Sequence, residues 1–230
     1  RRQRQMCIRD SLDTEGFVAA AEIMMQFYAK IKNELGVELH DLNLGGGFGI
    51  QYTEQDDPLP YEAYMEAVAK VINRCSQELQ VKRPFILIEP GRSIVAPAGI
   101  TLYTVGGKKE IPNIRTYLSI DGGMCDNPRY ILYQSEYDAL IANKADQPKT
   151  ATVTIAGKCC ESGDLIGENM PIQEAEPGDI LAVCATGAYN YSMASNYNRL
   201  QKPAVVFVKN GTSRLVVKRE SLEDLVRNDI

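Results

Sequence analysis

VELHDLNLGGGFG, residues 37–49, and FILIEPGR, residues 85–92, are the two stretches that decide the fold of the first part of the chain. Each is a short apolar run that leads directly into a glycine-containing turn, as a buried strand does where it ends. We predict strands over Val37–Leu44 and Phe85–Ile88. Continuously apolar strands are typical of a parallel sheet that is buried on both faces.

Amphipathic helices precede and separate these strands. Apolar residues recur at three- and four-residue steps from Glu15 to Leu35, and Gly36 then supplies a C-terminal stop. A second helix is predicted over Tyr61–Leu79. Alternating helices and strands with short connections predict a parallel α/β layer. Two such units do not close a sheet, so we expect residues 12–98 to be part of a larger α/β domain.

After Gly99 the pattern changes to short β-rich runs separated by turn signals such as Pro177-Gly178-Asp179 and Asn210-Gly211. This pattern predicts an antiparallel sheet or barrel over residues 99–230, closed by a short helix over Ser221–Val226. The domain boundary is predicted near Pro97–Thr101. The predicted strands are Leu102–Val105, Tyr117–Ile120, Thr152–Ile155, Ile180–Cys184, Val205–Val208 and Leu215–Lys218.

Composition excludes several classes of protein. The 230 residues are 44% hydrophobic and 24% charged, as in an ordinary globular protein. A net charge of -5 gives no electrostatic reason to expect nucleic acid or an anionic membrane as partner. No apolar run approaches the roughly 20 residues that span a bilayer, and no secretory signal is visible. Six cysteines without a CxxC pair and a single histidine, His40, argue against a metal site and indicate reduced thiols in a cytoplasm.

The first eleven residues, RRQRQMCIRDS, have no amphipathic period. They resemble the translated read-through of a sequencing adapter, so we interpret residues 1–11 as a non-native segment. The alternative is a disordered basic arm that binds an acidic partner.

Two of the glycine-containing turns carry candidate chemistry. The backbone of Gly45, Gly46 and Gly47 can approach a ligand closely and present amide N–H groups to a phosphate, although a plain tight turn is the alternative. The cluster has neither the spacing of a dinucleotide-binding loop nor the Lys-Ser/Thr of a P-loop. Glu89 follows a strand, where α/β barrels keep their active sites. Its partner is either a protonated ring nitrogen or a nearby arginine.

Further motifs give these turns a family context. GGGFG and EPGR (89–92) are followed by DGGM (121–124), by CCESGD (159–164) and by GAY (187–189). In this order they resemble the alanine-racemase-type pyridoxal-phosphate decarboxylases, in particular the diaminopimelate-specific branch. The resemblance runs from about Leu12 to Ile230. Its strongest discriminator is Glu161, because ornithine-type members carry aspartate after the cysteine.

The resemblance implies a fold, a cofactor and a reaction. The fold is the C-terminal part of a pyridoxal-phosphate-binding (β/α)8 barrel followed by an antiparallel β-barrel-like domain. The reaction is the decarboxylation of meso-2,6-diaminopimelate to L-lysine by a homodimer with shared active sites. Pyridoxal 5'-phosphate stabilises the negative charge that the loss of CO2 leaves at the α-carbon.

The resemblance also implies roles for single residues. Gly45, Gly46, Gly47, Pro90, Gly91, Arg92 and Tyr189 bind the cofactor phosphate, and Glu89 faces the pyridine nitrogen. Arg92, Arg129, Tyr133 and Tyr189 contact the substrate and its distal carboxylate, and Glu161 takes its amino group. Cys160 is the proton donor, since a thiol is ordinarily protonated at neutral pH.

Each role has a structural alternative. Cys160 would otherwise be a small buried hydrophobic residue, which is the commoner fate of a free cysteine. Arg129 and Tyr133 are four residues apart and could form a surface pair, and Tyr189 could be core. We interpret Cys159 and Cys184 as structural.

One departure from the family bears on activity. The resemblance places the lysine that bonds the cofactor, and a histidine and a serine near its phosphate, upstream of Asp13. We therefore expect the 230 residues to be a fragment that does not decarboxylate by itself. The alternatives are a carboxynorspermidine or arginine decarboxylase, a catalytically silent binding homologue, and a stand-alone β-rich binding module.

Overall fold

The structure is a computed structural model that describes residues 12–230. The interpretation of residues 1–11 as non-native concerns a segment outside this range. The internal contacts divide the chain into a first unit that ends at Ala96 and a second unit from Pro97 to Ile230. The predicted boundary at Pro97–Thr101 lies beside this division.

The first unit alternates helices and strands. Its elements are α1 (Glu15–Leu35), β1 (Asp41–Asn43), α2 (Tyr61–Glu78), β2 (Phe85–Leu87) and α3 (Gly91–Val95). β1 and β2 are parallel, with Leu42 opposite Ile86. Gly36 ends α1 in the left-handed region at φ 69°, and its N–H donates to the carbonyl of Lys32. The parallel α/β layer that the sequence predicts is present.

An aromatic cluster forms the centre of the first unit's core. The rings of Phe17, Phe48 and Tyr64 lie with centroids 4.9 to 5.3 Å apart, which is the range of favourable edge and tilted contacts. Met25 and Ile72 of the two long helices are completely buried beside this cluster. The helices and β1 therefore share one core.

The strands of the first unit differ from the prediction in length and burial. Val37–Leu44 and Phe85–Ile88 were predicted as strands, but only three residues in each of these segments form a strand. Leu42 is 1% exposed, whereas Phe85 is 77% and Leu87 46% exposed. Within the described residues the two strands have one covered face, and whether the sheet is buried on both faces stays a prediction for the larger domain.

The second unit is built on six strands, which are β3 (Thr101–Ile111), β4 (Arg115–Ile120), β5 (Ala139–Ile141), β6 (Ala151–Ala156), β7 (Leu165–Ile172) and β8 (Ile180–Val183). They form one sheet in the order β5-β8-β3-β4-β6-β7. Neighbouring strands are antiparallel except β4 and β6, which are parallel. The prediction of an antiparallel domain is therefore wrong for this pair. Between β4 and β6 the chain runs through a short helix and β5, which is long enough for a parallel crossover.

A buried glutamine links the two ends of this sheet. Gln173, 3% exposed, follows β7 and accepts a hydrogen bond at 2.8 Å from the backbone N–H of Ile141 in β5. Its amide nitrogen donates to the carbonyl of Gln147 at 3.3 Å. One N–H of the edge strand β5 is thus paired by a side chain that follows the opposite edge strand, β7. This contact brings the two edges of the sheet together, as in a partly closed barrel.

Shorter elements complete the second unit. They are three 3-10 turns (Ala96–Ala98 across the division, Ala142–Lys144 and Tyr197–Arg199), α4 (Arg129–Tyr133), α5 (Asn190–Met193), the hairpin of β9 (Val205–Lys209) and β10 (Thr212–Val217), and α6 (Leu222–Val226). Asn210 and Gly211 both have positive φ, as the predicted two-residue hairpin turn requires. A capping box between Ser221 and Asp224 begins α6. None of the helices within residues 12–230 has the length and apolarity needed to cross a bilayer.

Candidate functional site

The predicted cofactor residues of the first unit lie at one edge of its sheet. We call Asn43, Gly45–Gly47 and Glu89–Arg92 the glycine–glutamate cradle. Because β1 and β2 are parallel, their carboxyl ends lie at the same edge. The backbone pairing continues past both strands, since the N–H of Leu44 donates to Leu87 at 3.0 Å and that of Glu89 to Gly45 at 2.7 Å.

Gly46 allows the two turns to approach each other. A Cβ at this position would lie 2.3 Å from the carbonyl oxygen of Glu89, which is backbone and cannot rotate away. Gly45 and Gly47 have φ of 72° and 100°, conformations that other residues rarely adopt. The glycine triplet is therefore required by the geometry of the turn.

Asn43 orients the carboxylate of Glu89. Its side-chain nitrogen donates to Oε1 of Glu89 at 2.6 Å, and its side-chain oxygen accepts from the N–H of Gly45 at 2.8 Å. Sequence reasoning missed this residue. The available signal was a polar residue at the end of a strand, immediately before the glycines.

Arg92 is the buried charged residue of the cradle. It is 7% exposed, and its guanidinium donates to the carbonyl of Phe48 at 3.3 Å. The hydroxyl of Ser93, which follows it, accepts from the hydroxyl of Tyr61 at 2.6 Å and donates to the carbonyl of Pro90 at 3.1 Å. These contacts fix the EPGR turn against the glycine turn and α2.

Three of the predicted substrate residues meet in the second unit. Arg129 is 7% exposed, and its guanidinium carbon lies 5.6 Å from the ring centre of Tyr133 and 4.9 Å from that of Tyr189. The guanidinium also donates to the hydroxyl of Ser135 at 3.4 Å. Cation–π contacts of this kind hold an arginine in place. We call Arg129, Tyr133 and Tyr189 the arginine–tyrosine cluster.

Tyr189 has a backbone conformation that is rare for a residue with a side chain. Its φ is 71°, which costs on the order of 1–3 kcal/mol. Its carbonyl accepts from the N–H of Met193 and the hydroxyl of Ser192, both at 2.8 Å, so α5 stabilises the conformation. The ring remains 44% exposed, which contradicts the alternative of a core residue.

The segment Cys159–Asp164, the cysteine loop, is fixed by its last residue. Asp164 is 4% exposed, and its carboxylate accepts from the backbone N–H groups of Met124 at 2.5 Å and Cys159 at 2.6 Å. Gly123 and Gly157 have no Cβ because one would lie 2.4 Å and 2.2 Å from that carboxylate. The carboxylate of Asp164 therefore joins the DGGM segment to the CCESGD segment, and we call this pair of contacts the clip.

Within the cysteine loop, the two adjacent thiols have different environments. Cys159 is 9% exposed and packs with Cys125, and burial raises the pKa of both thiols. Cys160 is the exposed thiol among the five cysteines that the structure describes. Its exposure contradicts the alternative of a buried hydrophobic residue, whereas Cys159 has the surroundings of a structural cysteine.

The predicted site residues are thus divided between the units. The first unit holds Gly45, Gly46, Gly47, Glu89, Pro90, Gly91 and Arg92, and the second holds Arg129, Tyr133, Cys160, Glu161 and Tyr189. Their functional roles stay predictions. His40, which was not assigned a role, is exposed, and its carbonyl pairs with the N–H of Phe85 at 2.7 Å.

Comparisons with known proteins agree with the motifs. Residues 10–96 match the family described as pyridoxal-dependent decarboxylase, pyridoxal binding domain. The diaminopimelate decarboxylases of Halalkalibacterium halodurans and Bacillus subtilis are each 50% identical over 218 residues, covering 95% of this chain and 50% of each relative. The chain spans about half the length of the curated relatives it matches.

Solved structures give the same result. The diaminopimelate decarboxylase of M. jannaschii in co-complex with L-lysine superimposes with a TM-score of 0.87 at 33% identity, over 96% of this chain and 50% of that one. The enzyme of Helicobacter pylori complexed with L-lysine gives 0.79 at 31% identity, over 94% and 50%.

Proposed function

We propose that the chain is part of a diaminopimelate decarboxylase, because its relatives carry that name and its first unit matches the pyridoxal-dependent decarboxylases. The full-length protein would convert meso-2,6-diaminopimelate to L-lysine and CO2. This chain would contribute the glycine–glutamate cradle, the arginine–tyrosine cluster and the cysteine loop to that protein. The activity is assigned to the full-length protein, because the relatives are about twice as long as this chain.

The observation that carries this proposal is the arginine–tyrosine cluster. A buried guanidinium between two tyrosine rings, at 4.9 and 5.6 Å, is suited to a carboxylate that arrives with an organic substrate. Diaminopimelate keeps one carboxylate and one amine at the end that does not react. Glu161, an exposed carboxylate on the cysteine loop, supplies the charge that such an amine requires.

The cradle fits pyridoxal phosphate on its own chemistry. The close approach at Gly46 leaves backbone in place of side chains around the turn, as a phosphate cradle requires. Glu89 is a carboxylate aimed by Asn43, which suits a protonated ring nitrogen. When bound, the cofactor supplies an electron sink for the charge at the α-carbon.

The protein's own groups then have distinct tasks. Glu89 keeps the ring nitrogen protonated, and Gly45–Gly47 with the EPGR turn hold the phosphate. Arg129 and Tyr133 orient the distal carboxylate of the substrate. Cys160 delivers a proton to the α-carbon after CO2 has left, a role that requires a protonated thiol within hydrogen-bond reach of that atom.

The proposal extends to assembly and location. We propose a homodimer in which Cys160 of one subunit completes the site of the other, because Cys160 and Glu161 are exposed on the second unit. The five described cysteines are free, which supports a reducing cytoplasm.

The test is a substrate panel with the full-length protein. We expect decarboxylation of meso-2,6-diaminopimelate and much weaker turnover of arginine, lysine and carboxynorspermidine. Arg129→Lys should raise KM for diaminopimelate by about tenfold or more, because a lysine cannot bind a carboxylate in bidentate fashion. Arg115→Lys, on β4 and paired with Glu168, is the matched control and should leave KM unchanged.

Two outcomes would overturn the proposal. Preferred turnover of arginine or carboxynorspermidine would assign a sibling enzyme. Binding of pyridoxal phosphate without any turnover would assign a catalytically silent homologue.

A further inference from the structure

The segment Ser195–Arg199, here called the asparagine loop, contacts both functional residues of the cysteine loop. We propose that Asn198 and Tyr197 are positioning residues, of which Asn198 fixes the backbone that carries Cys160 and Tyr197 orients the carboxylate of Glu161. The inference rests on the proposed function and assigns a specificity role to a segment that no motif in the sequence analysis singled out.

The contact of Asn198 is the shorter one. Its side-chain oxygen accepts from the backbone N–H of Cys160 at 2.6 Å. Asn198 has φ 54°, a left-handed conformation that asparagine adopts more readily than most residues. The shape of the asparagine loop therefore fixes where the amide oxygen lies, and the amide oxygen fixes the backbone at Cys160.

Tyr197 acts on the neighbouring carboxylate. Its hydroxyl donates to Oε2 of Glu161 at 3.2 Å, and the hydroxyl of Ser162 donates to Oε1 at 3.4 Å. The hydrogen bond to Glu161 raises the pKa of Tyr197, as expected of a phenol that donates to a carboxylate. A carboxylate has about four acceptor positions, so two remain for an ammonium group of a substrate.

The asparagine loop has further contacts besides those with Cys160 and Glu161. Asn196 donates to the carboxylate of Glu220 at 2.5 Å, and Arg199 pairs with Asp229 at 2.6 Å. The N–H of Ser195 donates to the carbonyl of Cys125 at 2.9 Å. The loop is thus held by several contacts in addition to those with Cys160 and Glu161.

The chemical consequence differs for the two residues. A proton donor acts only when its atom lies within about 3 Å of the acceptor, so a shift of the Cys160 backbone changes the proton-transfer step and therefore kcat. The orientation of Glu161 affects how the distal amine is bound and therefore KM.

Tyr197→Phe in the full-length protein tests the second half of the proposal. We expect KM for diaminopimelate to rise about fivefold with kcat changed less than about twofold, because binding is altered and the chemistry is not. Tyr130→Phe is the matched control: Tyr130 also donates to a glutamate, Glu168, at 2.9 Å, outside the cysteine loop. It should leave both constants unchanged.

Asn198→Gly and Asn198→Asp test the first half. Glycine keeps the left-handed backbone but removes the acceptor, so kcat should fall about fivefold with little change in KM. Aspartate keeps an acceptor oxygen and should restore most of kcat. Alkylation of Cys160 by iodoacetamide, followed residue by residue by mass spectrometry, should be about threefold faster in Asn198→Gly and close to wild type in Asn198→Asp.

The outcomes separate this inference from the proposed function. If the wild-type protein decarboxylates diaminopimelate and both Tyr197→Phe and Asn198→Gly behave as Tyr130→Phe does, the inference alone fails. If the wild-type protein has no such activity, the proposed function fails. The alkylation rates then decide by themselves whether Asn198 positions Cys160.

Discussion

The glycine–glutamate cradle and the cysteine loop hold their functional groups by different means. In the cradle, the two turns pair backbone with backbone, with added side-chain bonds from Arg92 and Ser93, and Gly46 leaves no room for a side chain next to the carbonyl of Glu89. In the cysteine loop, side chains hold backbone, since Asp164 binds two N–H groups and Asn198 binds that of Cys160.

The difference determines how each region responds to substitution. A contact between two backbones has no conformational alternative, so an added methyl group has nowhere to go. A contact between a carboxylate and an N–H can be replaced in part by another acceptor. We therefore expect the cradle to fail abruptly and the cysteine loop to weaken by degrees.

Gly46→Ala should have the largest effect of the substitutions that compare the two regions. Its Cβ would lie 2.3 Å from the carbonyl oxygen of Glu89, so the EPGR turn must move away. We expect a loss of about 4 kcal/mol or more in the free energy of unfolding, and loss of pyridoxal phosphate binding. Thermal unfolding and a cofactor titration of the full-length protein measure both.

The control for Gly46→Ala is Gly107→Ala in β3. A Cβ there meets only the hydroxyl of Ser119, at the ordinary contact distance of 3.7 Å, so a change below about 1 kcal/mol is expected. Equal effects of the two substitutions would show that the close approach at Gly46 does not limit the cradle.

Asp164→Asn should have the next largest effect. One hydrogen bond is kept by the remaining carbonyl oxygen, but the new amide group faces a backbone N–H donor. We expect a loss of about 3 kcal/mol and faster alkylation of Cys160, because the clip that fixes the cysteine loop is half broken. Urea unfolding of the full-length protein gives the first quantity and mass spectrometry the second.

Asp146→Asn, on an exposed turn of the same unit, is the matched control and should be neutral. A neutral Asp164→Asn would mean that the two short contacts contribute nothing, and the contrast between the regions would disappear.

Asn43→Ala should have a smaller effect. It tests a side-chain contact inside the region whose two turns are joined by backbone pairing. Asn43 is the one side chain we find orienting a functional group within the described part of the cradle. Because it is exposed, we expect a loss of stability of only about 1 kcal/mol, but a several-fold weaker Kd for pyridoxal phosphate from a misaligned Glu89. An unchanged Kd would show that backbone alone builds the cradle.

The same contrast explains what could be predicted from the sequence. Helices α1 and α2 were predicted nearly to their ends because each has a complete apolar face and a recognisable start or stop. The glycine turn was predicted because a backbone contact appears in the sequence as a missing side chain. Asn43, Tyr197 and Asn198 were missed because an asparagine or tyrosine in a loop has the same letter whether or not it holds another segment.

Long-range pairing accounts for the errors in the β-rich unit. Strands β5 and β7 were missed, and the parallel pairing of β4 with β6 was not foreseen. Ala139–Ile141 is only three residues long, too short to show alternation. Leu165–Ile172 contains Gly167 and Pro171, residues that are typical of turns. Its strand conformation depends on β6, which lies beside it in the sheet.

The smallest predicted effect is a pH-dependent change in the free energy of unfolding, and it concerns Asp179, a side chain that holds other groups as Asp164 does. Asp179 accepts from Lys144 at 2.7 Å and from Asn143 and the N–H of Glu176 at 2.8 Å, and these bonds lower its pKa from 3.8 to about 2. The stabilisation is complete above pH 4, where the carboxylate is ionised in both folded and unfolded chains. It is lost as the pH falls toward 2.

Asp179→Asn should remove this pH dependence. After allowance for screening by solvent, the ion pair contributes about 1 kcal/mol, so wild type and variant should differ by that amount at pH 6 and converge near pH 2. Free energies of unfolding of the full-length protein between these pH values measure the difference. The backbone contacts of the cradle contain no titrating group, so Gly46→Ala should lower stability equally at both ends of the range. A pH-dependent loss in Gly46→Ala, or a constant one in Asp179→Asn, would mean that the two regions are not held in the different ways inferred from their contacts.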